Sequence, residues 1–265
     1  MLTVFALYAL VGAVGGILAG LLGIGGGLVI VPMLVFAFPL QGIGQENLMH
    51  LALGTSMASI IFTSVSSFYA HNKRGSVLWP VFKSITPGIL VGAFLGTCVA
   101  SALSTNFLKG FFAVFLYYVA AQMLRGKKPK PTRQVPGGAG MFGAGAGIGV
   151  FSSLVGIGGG TLTVPFLVWC NVTVHKAIGT AAAVGLPIAL AGTAGYIING
   201  WNTAGLPDYS IGFVYLPALA GIVCVSVLTA PFGVKLAHSL PVDKLKRVFA
   251  FLLLAVATKM LISLF

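Results

Sequence analysis

The sequence predicts an all-α integral membrane protein made of two inverted repeats. Three observations support this prediction: the composition, a series of apolar segments, and a glycine-rich motif that occurs twice. Hydrophobic residues make up 58% of the 265 residues, charged residues make up only 7%, and the mean hydropathy is +1.05. A soluble domain has about 25% charged residues on average. A chain this apolar is therefore expected to lie in a lipid bilayer.

The basic excess does not indicate a nucleic-acid partner. The formal net charge is +12, which in a soluble protein would suggest nucleic-acid binding. Here the Lys and Arg residues lie between apolar runs, a pattern typical of the cytoplasmic loops of membrane proteins. The three cysteines stand alone in apolar segments without metal-ligand spacing. We therefore expect the bilayer as a partner, and neither a nucleic acid, a metal nor a cofactor.

Ten apolar segments predict the helices, with five in each half. They cover residues 2–22, 28–39, 48–70, 78–100 and 107–124, and then 140–155, 161–171, 177–199, 211–234 and 245–264. Most approach the roughly 20 residues that a spanning helix needs, and their continuous apolar character excludes a membrane β-barrel. Segments 28–39 and 161–171 are only about half that length. We expect these two to be short broken or re-entrant half-helices.

A repeated motif divides the chain. The sequence GIGGGLVIVP at 23–32 reappears as GIGGGTLTVP at 156–165, and Leu-Gly-Thr at 53–55 is followed in the second half by Ile-Gly-Thr at 178–180. Motifs that recur in the same order indicate internal duplication. We therefore expect a first membrane repeat at 1–124, a basic cytoplasmic linker at 125–139 and a second repeat at 140–265.

The positions of the basic residues predict that the two repeats are inverted. If the linker is cytoplasmic, every Lys and Arg except Lys109 and Lys259 falls on the cytoplasmic side. That bias sets the orientation of most membrane proteins. Both termini then face outward, so the first repeat enters the bilayer from outside and the second from inside.

The glycine runs are the candidate site. Each glycine costs about 1 kcal/mol of helix stability relative to alanine, so a run should break the helix. Non-helical backbone at membrane depth persists only where protein buries it or where it lines a wet cavity. The half-helices would begin at Leu28 and Thr161, and a helix N-terminus attracts anions. Several secondary transporters build their substrate site from such broken helices. The alternative is that the glycines only allow close helix packing.

The candidate substrate-binding residues offer backbone amides and small hydroxyls. They are Gly25, Gly26, Gly27, Gly158, Gly159 and Gly160 from the motifs, with Thr55, Ser56, Thr161 and Thr180 nearby. Hydroxyl groups suit an oxyanion, although Ser and Thr also bond to carbonyls of their own helix. The only acids, Glu46, Asp208 and Asp243, lie in or beside loops. A buried carboxylate that would bind a cation or relay protons is therefore not expected.

At these residues the sequence resembles the sulfite exporter TauE/SafE family of membrane permeases, also called TSUP. The resemblance rests on GIGGGLVIVPML at 23–34, GIGGGTLTVPFL at 156–167, GTS at 54–56 and GTA at 179–181, and it extends over essentially the whole chain. It implies a permease of the bacterial or archaeal inner membrane. The implied substrates are sulfite, thiosulfate, sulfoacetate or related organosulfonates.

We therefore expect a transporter that moves a small sulfur-containing anion by alternating access between the repeats. Export is favoured, because an anion leaving a negative interior gains roughly 2.3 kcal/mol per charge per 100 mV. The alternatives are a passive anion channel, an uptake permease for another small organic anion, or a non-transporting scaffold. No catalytic motif supports an intramembrane enzyme. The sequence leaves a homo-oligomer open.

Overall fold

The computed structural model describes residues 2–22, 26–125, 132–239 and 242–264, and in these ranges it is almost entirely helical. The helices are α1 (Leu2–Leu22), α2 (Gly27–Ala37), α3 (Leu48–Lys73), α4 (Trp79–Ser101), α5 (Thr105–Arg125), α6 (Gly138–Val155), α7 (Gly160–Trp169), α8 (Val174–Gly200), α9 (Leu216–Ser239) and α10 (Val242–Ile262). A 3-10 turn follows α2 at Pro39–Gln41. Strands β1 (Ser210–Ile211) and β2 (Val214–Tyr215) pair antiparallel before α9.

The all-α membrane class is confirmed. In the described part of the chain, α3, α4, α5, α6 and α8 are long and apolar enough to cross a membrane. Each predicted segment corresponds to one helix; α1 has the predicted bounds, and the bounds of the other helices are shifted. α2 and α7 begin at Gly27 and Gly160, one residue before the expected starts. α9 begins later than the predicted 211, because 210–215 form a β-hairpin whose two-residue loop has Gly212 at φ +54°, as tight hairpin turns require.

α1 and α2 form a helical hairpin that returns to the end of the bundle where it began. The Tyr8 hydroxyl in α1 donates a 2.8 Å hydrogen bond to Oε1 of Gln41, just after α2. The rings of Tyr8 and Phe38 pack edge to face, with their centroids 6.4 Å apart. The first turns of α1 therefore contact the end of α2, so the two helices run antiparallel. We call residues 2–22 and 26–41 hairpin 1.

α6 and α7 form a second helical hairpin. The backbone amides of Thr132 and Arg133, which precede α6, both donate 3.2 Å hydrogen bonds to the carbonyl of Trp169 at the end of α7. The Arg133 guanidinium lies over the Trp169 ring, 4.7 Å from its centroid. We call residues 132–169 hairpin 2. Each predicted half-helix is therefore the returning arm of a hairpin, and it ends on the face of the bundle where that hairpin began.

The two hairpins open at opposite ends of the bundle. After hairpin 1, α3 crosses the bundle, α4 returns, and α5 crosses again to the end from which α6 starts. We call this end, with residues 71–78, 132–137 and 170–176, the basic face, and the end with residues 38–47, 102–104 and 201–215 the opposite face. Hairpin 1 opens on the opposite face and hairpin 2 on the basic face. The prediction of inverted repeats requires this arrangement.

The helix pairs are also consistent with the predicted duplication. α1 packs along α9 and α4 along α6, whereas α3 packs against α8 and α5 against α10. Replacing each helix by its counterpart in the other half converts the α1–α9 pair into α6–α4 and leaves the α3–α8 and α5–α10 pairs unchanged. A two-fold relation between repeats produces this pattern. It brings both hairpins against the central α3–α8 pair.

Candidate functional site

The tips of the two hairpins meet inside the bundle. Gly27 opens α2 and packs against Gly156, which ends α6. A β-carbon at position 27 would overlap the carbonyl oxygen of Gly156 and lie 2.9 Å from the α-carbon of Ile157. Gly156 itself has φ +67°, in the left-handed region that favours glycine. The predicted glycine runs are therefore brought together through direct backbone contact.

The tip of hairpin 1 is described from Gly26 onward. The predicted site residue Gly25 lies outside the described residues, together with Gly23 and Ile24. Gly26 is the N-cap of α2, and its carbonyl accepts hydrogen bonds from the amides of Val29 and Ile30 at 3.0 and 2.9 Å. Gly26 and Gly27 are both buried. They therefore lie in the packed interior of the bundle.

The tip of hairpin 2 presents free hydrogen-bond donors. Gly159 is the N-cap of α7, and its carbonyl accepts a 2.9 Å hydrogen bond from the Thr163 amide. Among the described residues, no hydrogen bond uses the amides of residues 158–162, as expected where a helix begins. Gly158, Gly159, Gly160 and Thr161 therefore present a row of amides at one point.

Two hydroxyls at the same helix start also have no partner. The Oγ1 atoms of Thr161 and Thr163 are buried and make no hydrogen bond in the described part of the chain. Leaving a buried hydroxyl unpaired costs about 1–3 kcal/mol. Such groups are unusual in a stable fold unless a ligand or water satisfies them. The first turns of α7 thus combine unpaired amides, unpaired hydroxyls and the positive end of a helix dipole.

Two further residues border this tip and were not among the sequence-based candidates. A β-carbon at Gly185 in α8 would lie 3.1 Å from Ser64 Oγ and 3.7 Å from the amide nitrogen of Gly159. Gly185 therefore leaves space beside one of the free amides. Counted from the Gly-Thr elements, its counterpart in the first half is Ile60. A lone glycine in an apolar span gives no motif, so only the structure identifies it.

Thr55 and Thr180 make equivalent contacts on the two faces. The Thr55 hydroxyl oxygen accepts a 3.0 Å hydrogen bond from the amide of Tyr215, the residue before α9. The Thr180 hydroxyl oxygen accepts a 2.9 Å hydrogen bond from the amide of Leu78, the residue before α4. The helices α4 and α9 are counterparts in the two halves. The same hydrogen bond is therefore made twice.

The glycines before these threonines allow the contact. A β-carbon at Gly54 would overlap the carbonyl oxygen of Phe213, and one at Gly179 would lie 2.6 Å from the carbonyl oxygen of Ser76. The segment before α9 thus crosses the first Gly-Thr element, and the segment before α4 crosses the second. In both places the two backbones are in direct contact. This backbone contact explains why Gly-Thr occurs in both halves, and the explanation needs no bound ligand.

Ser56 lies at the tip itself. Its hydroxyl donates a 2.9 Å hydrogen bond to the carbonyl of Gly156, so it fixes the end of α6. The corresponding residue of the second half is Ala181, which has no hydroxyl. Ser56 thus anchors hairpin 2 from α3, and this contact has no counterpart at Ala181.

No charged side chain lies in the described part of the hairpin tips. Glu46 and Asp208 lie on the opposite face, in the 38–47 and 201–215 segments. No group of three or more His, Cys, Asp or Glu side chains that could hold a metal ion occurs in the described ranges. The described tip therefore offers dipoles and neutral donors, which stabilise negative charge without a buried counter-ion.

Comparison with known proteins decides the family. The family model for the sulfite exporter TauE/SafE matches residues 8–260, nearly the whole chain. The chain belongs to the sulfite exporter TauE/SafE family. This confirms the resemblance found at the glycine motifs.

Curated relatives of the TauE/SafE chain are named as transporters. A probable membrane transporter protein of Haemophilus influenzae is 38% identical over 264 residues, covering 99% of this chain and all of the relative. The probable membrane transporter protein MJ0441 of Methanocaldococcus jannaschii is 29% identical, covering 89% of this chain and 87% of its own. YunE of Bacillus subtilis, with the same description, is 28% identical over 74% of this chain and 79% of its own. No solved structure matches the chain.

Proposed function

We propose that this protein transports a small sulfur-containing anion, such as sulfite, thiosulfate, sulfoacetate or a related organosulfonate, by alternating access at the hairpin tips. The observation that supports it most directly is the start of α7. Here the hydroxyls of Thr161 and Thr163 are buried without partners, beside amides that make no hydrogen bond within the described residues.

The donors at this tip suit an anion. Backbone amides at a helix N-terminus bind sulfate-like and carboxylate groups, and hydrogen bonds to a charged acceptor are roughly twice as strong as neutral ones. A sulfur oxyanion has several oxygens that accept hydrogen bonds at once. Gly185 provides space next to the Gly159 amide, and the Ser64 hydroxyl borders that space. The description of the matching family, a sulfite exporter, gives the same substrate class.

Within this proposal the site includes fewer residues than the sequence predicts. Gly158, Gly159, Gly160 and Thr161 line it. Thr55 and Thr180 instead hold the segments that precede α9 and α4, since each hydroxyl oxygen already accepts a backbone hydrogen bond. Ser56 fixes Gly156 from α3. Gly26 and Gly27 form the wall against which hairpin 2 packs.

Alternating access rests on the two-fold arrangement. We take 1–124 and 140–265 as inverted repeats joined by the linker at 125–139. Hairpins that open on opposite faces and meet at their tips allow one anion to be approached from either side. Rocking one half against the other would open each path in turn, as in other inverted-repeat transporters.

The orientation follows the charge. We place the basic face in the cytoplasm of a bacterial or archaeal cell, with both termini outside and the protein in the inner membrane. Export then moves the anion down the electrical gradient, worth roughly 2.3 kcal/mol per charge per 100 mV. Export in this direction does not require coupling to the movement of another ion.

Efflux from proteoliposomes loaded with sulfite tests the proposal. Thr161→Val and Thr163→Val remove one hydroxyl each and keep the side-chain shape. We expect each to reduce sulfite flux at least tenfold, which corresponds to the roughly 1.5–3 kcal/mol of a hydrogen bond to a charged group.

Thr193→Val is the matched control. The Thr193 hydroxyl is also buried and unpartnered in the described ranges, but it lies in the middle of α8. Flux that falls equally in Thr193→Val, or that stays at the wild-type level in both α7 variants, contradicts the site. Wild-type flux that never saturates with sulfite concentration contradicts alternating access and favours a channel.

A further inference from the structure

A cavity opens on the opposite face, away from the hairpin tips. It has a volume of about 930 Å³ and lies between hairpin 1 and the segment that leads into α9. Its wall includes Tyr8 and Gln41 from hairpin 1, and Asp208, Tyr209 and Tyr215 from the 201–215 segment. None of its lining residues belongs to the glycine motifs, so the proposed transport site does not account for it.

Among the residues that the structure describes, Asp208 is the only charged side chain in the wall of this cavity. It is exposed and forms no salt bridge in the part of the chain that the structure describes. Burial, together with the nearby Asp208 carboxylate, raises the pKa of the Tyr215 hydroxyl. A free anion in this cavity would meet a negative charge and no basic group from the described lining. The cavity is therefore electrostatically unlike the tip of hairpin 2.

Aromatic rings surround the same space. The centroids of Tyr8 and Tyr215 are 6.2 Å apart, and both rings pack edge to face with Phe38. Tyr209 is 78% exposed and has φ +64°. This left-handed conformation is strained for a bulky residue, and such strain is concentrated at functional sites. The faces of tyrosine rings attract cations.

Gln41 adds a hydrogen-bond donor to the wall. Its Oε1 accepts the hydrogen bond from the Tyr8 hydroxyl, which fixes the orientation of the amide group. Its Nε2 is buried and has no partner within the described residues. The wall thus combines an unpaired carboxylate, tyrosine side chains and a glutamine whose amide donor is unpaired within the described residues.

We propose that this cavity binds a small organic ammonium ion that also carries an oxygen acceptor. The ammonium group would pair with Asp208 and lie against the tyrosine rings, and the oxygen would accept a hydrogen bond from Gln41. Aromatic side chains are the usual surroundings of quaternary ammonium ligands. A neutral ligand would desolvate Asp208 without pairing it, which is unfavourable.

Such a ligand would connect two elements that pack across the repeat interface. Tyr8 and Gln41 belong to hairpin 1, whereas Tyr215 donates its amide to Thr55 and leads into α9. Occupancy would hold the start of α9 against hairpin 1. The inference does not depend on the identity of the transported anion.

Isothermal titration of the purified full-length protein in detergent tests the site with choline. We expect saturable binding of choline and at least roughly tenfold weaker binding of 3,3-dimethyl-1-butanol, its uncharged isostere, because the loss of about 1.4 kcal/mol corresponds to a factor of ten. Asp208→Asn should weaken choline binding by a similar factor.

Glu46→Gln is the matched charge control. Glu46 is exposed on the same face but does not line the cavity, so this variant should bind choline like the wild type. Thr163→Val should also bind like the wild type, which separates this site from the transport site. Equal binding of choline and its isostere, undetectable choline binding, or wild-type affinity in Asp208→Asn would each overturn the proposal.

Discussion

Hairpin 1 and hairpin 2 are built on motifs that agree at seven of ten sequence positions, but they bury their half-helices to different extents. In α2 every residue except Met33 and Phe36 is buried, whereas in α7 only Thr163 and Leu167 are buried. α2 is apolar throughout, and Lys259 of α10 lies over the ring of the unburied Phe36, 4.5 Å from its centroid.

The neighbours of α7 are less tightly packed. An apolar cavity of about 590 Å³ separates hairpin 2 from α5, and its wall includes Leu162 of α7 and Phe151 of α6. The same motif therefore serves two roles. Hairpin 1 provides a rigid wall, and hairpin 2 presents the unpaired donors. Thr161 and Thr163 in α7 stand where the first motif has Leu28 and Ile30, and they make the start of α7 more polar.

The largest effect is expected where the two hairpins touch. Gly27→Ala places a β-carbon on the carbonyl of Gly156, so we expect a loss of about 3 kcal/mol in the free energy of unfolding. Denaturant unfolding in detergent micelles measures it. Gly158→Ala is the control, because its β-carbon would have an ordinary 3.5 Å contact with Ile60. Equal stability of the two variants would show that the tips are not in contact.

A smaller effect is expected at the duplicated threonine contacts. Thr55→Val and Thr180→Val each leave a backbone amide without its acceptor, so each should lose about 2 kcal/mol of unfolding free energy. The two losses should be equal, and additive in the double variant, because the sites are far apart. A loss in only one variant would show that the two halves are not held in the same way.

The smallest changes in the free energy of unfolding are expected for two hydroxyl residues at the hairpin 2 tip, and they should have opposite signs. Ser56→Ala removes the hydrogen bond to Gly156 and should lower stability by about 1 kcal/mol. Thr163→Val removes an unpaired buried hydroxyl and should raise stability by about 1 kcal/mol while reducing transport. Thermal unfolding of both variants without substrate measures the difference. Destabilisation by Thr163→Val would mean that this hydroxyl is already satisfied.

Composition and periodicity predict most of the fold. The apolar segments predict each helix, and the glycine runs and short segments predict where helices break, because lipid forces nearly every backbone group into a helix. The boundaries near 211 could not be predicted, since the β-hairpin before α9 is only six residues long. Whether the half-helices return was also open, because it depends on contacts such as Tyr8 with Gln41 that link distant residues.

The candidate site was predictable only in part. The motifs identified the amides around Gly159 because glycine runs are visible in sequence. Gly185 and Ser64 were missed, since neither belongs to a repeat. Thr55 and Thr180 were chosen as hydroxyls near the motif, but the sequence does not show that the backbone before α4 and α9 reaches them. Sequence identifies which groups are available, whereas packing decides which remain unpaired.

The pairing of α1 with α9 has a consequence for synthesis of the chain. α9 emerges roughly 190 residues after α1 ends, so at typical translation rates of about 5–20 residues per second α1 waits roughly 10–40 s for its partner. During that time the side of α1 that packs on α9, with Gly12 and Gly16, is exposed to lipid and to other nascent helices. A chain stopped at the linker would lack α9, so this surface of α1 would stay uncovered.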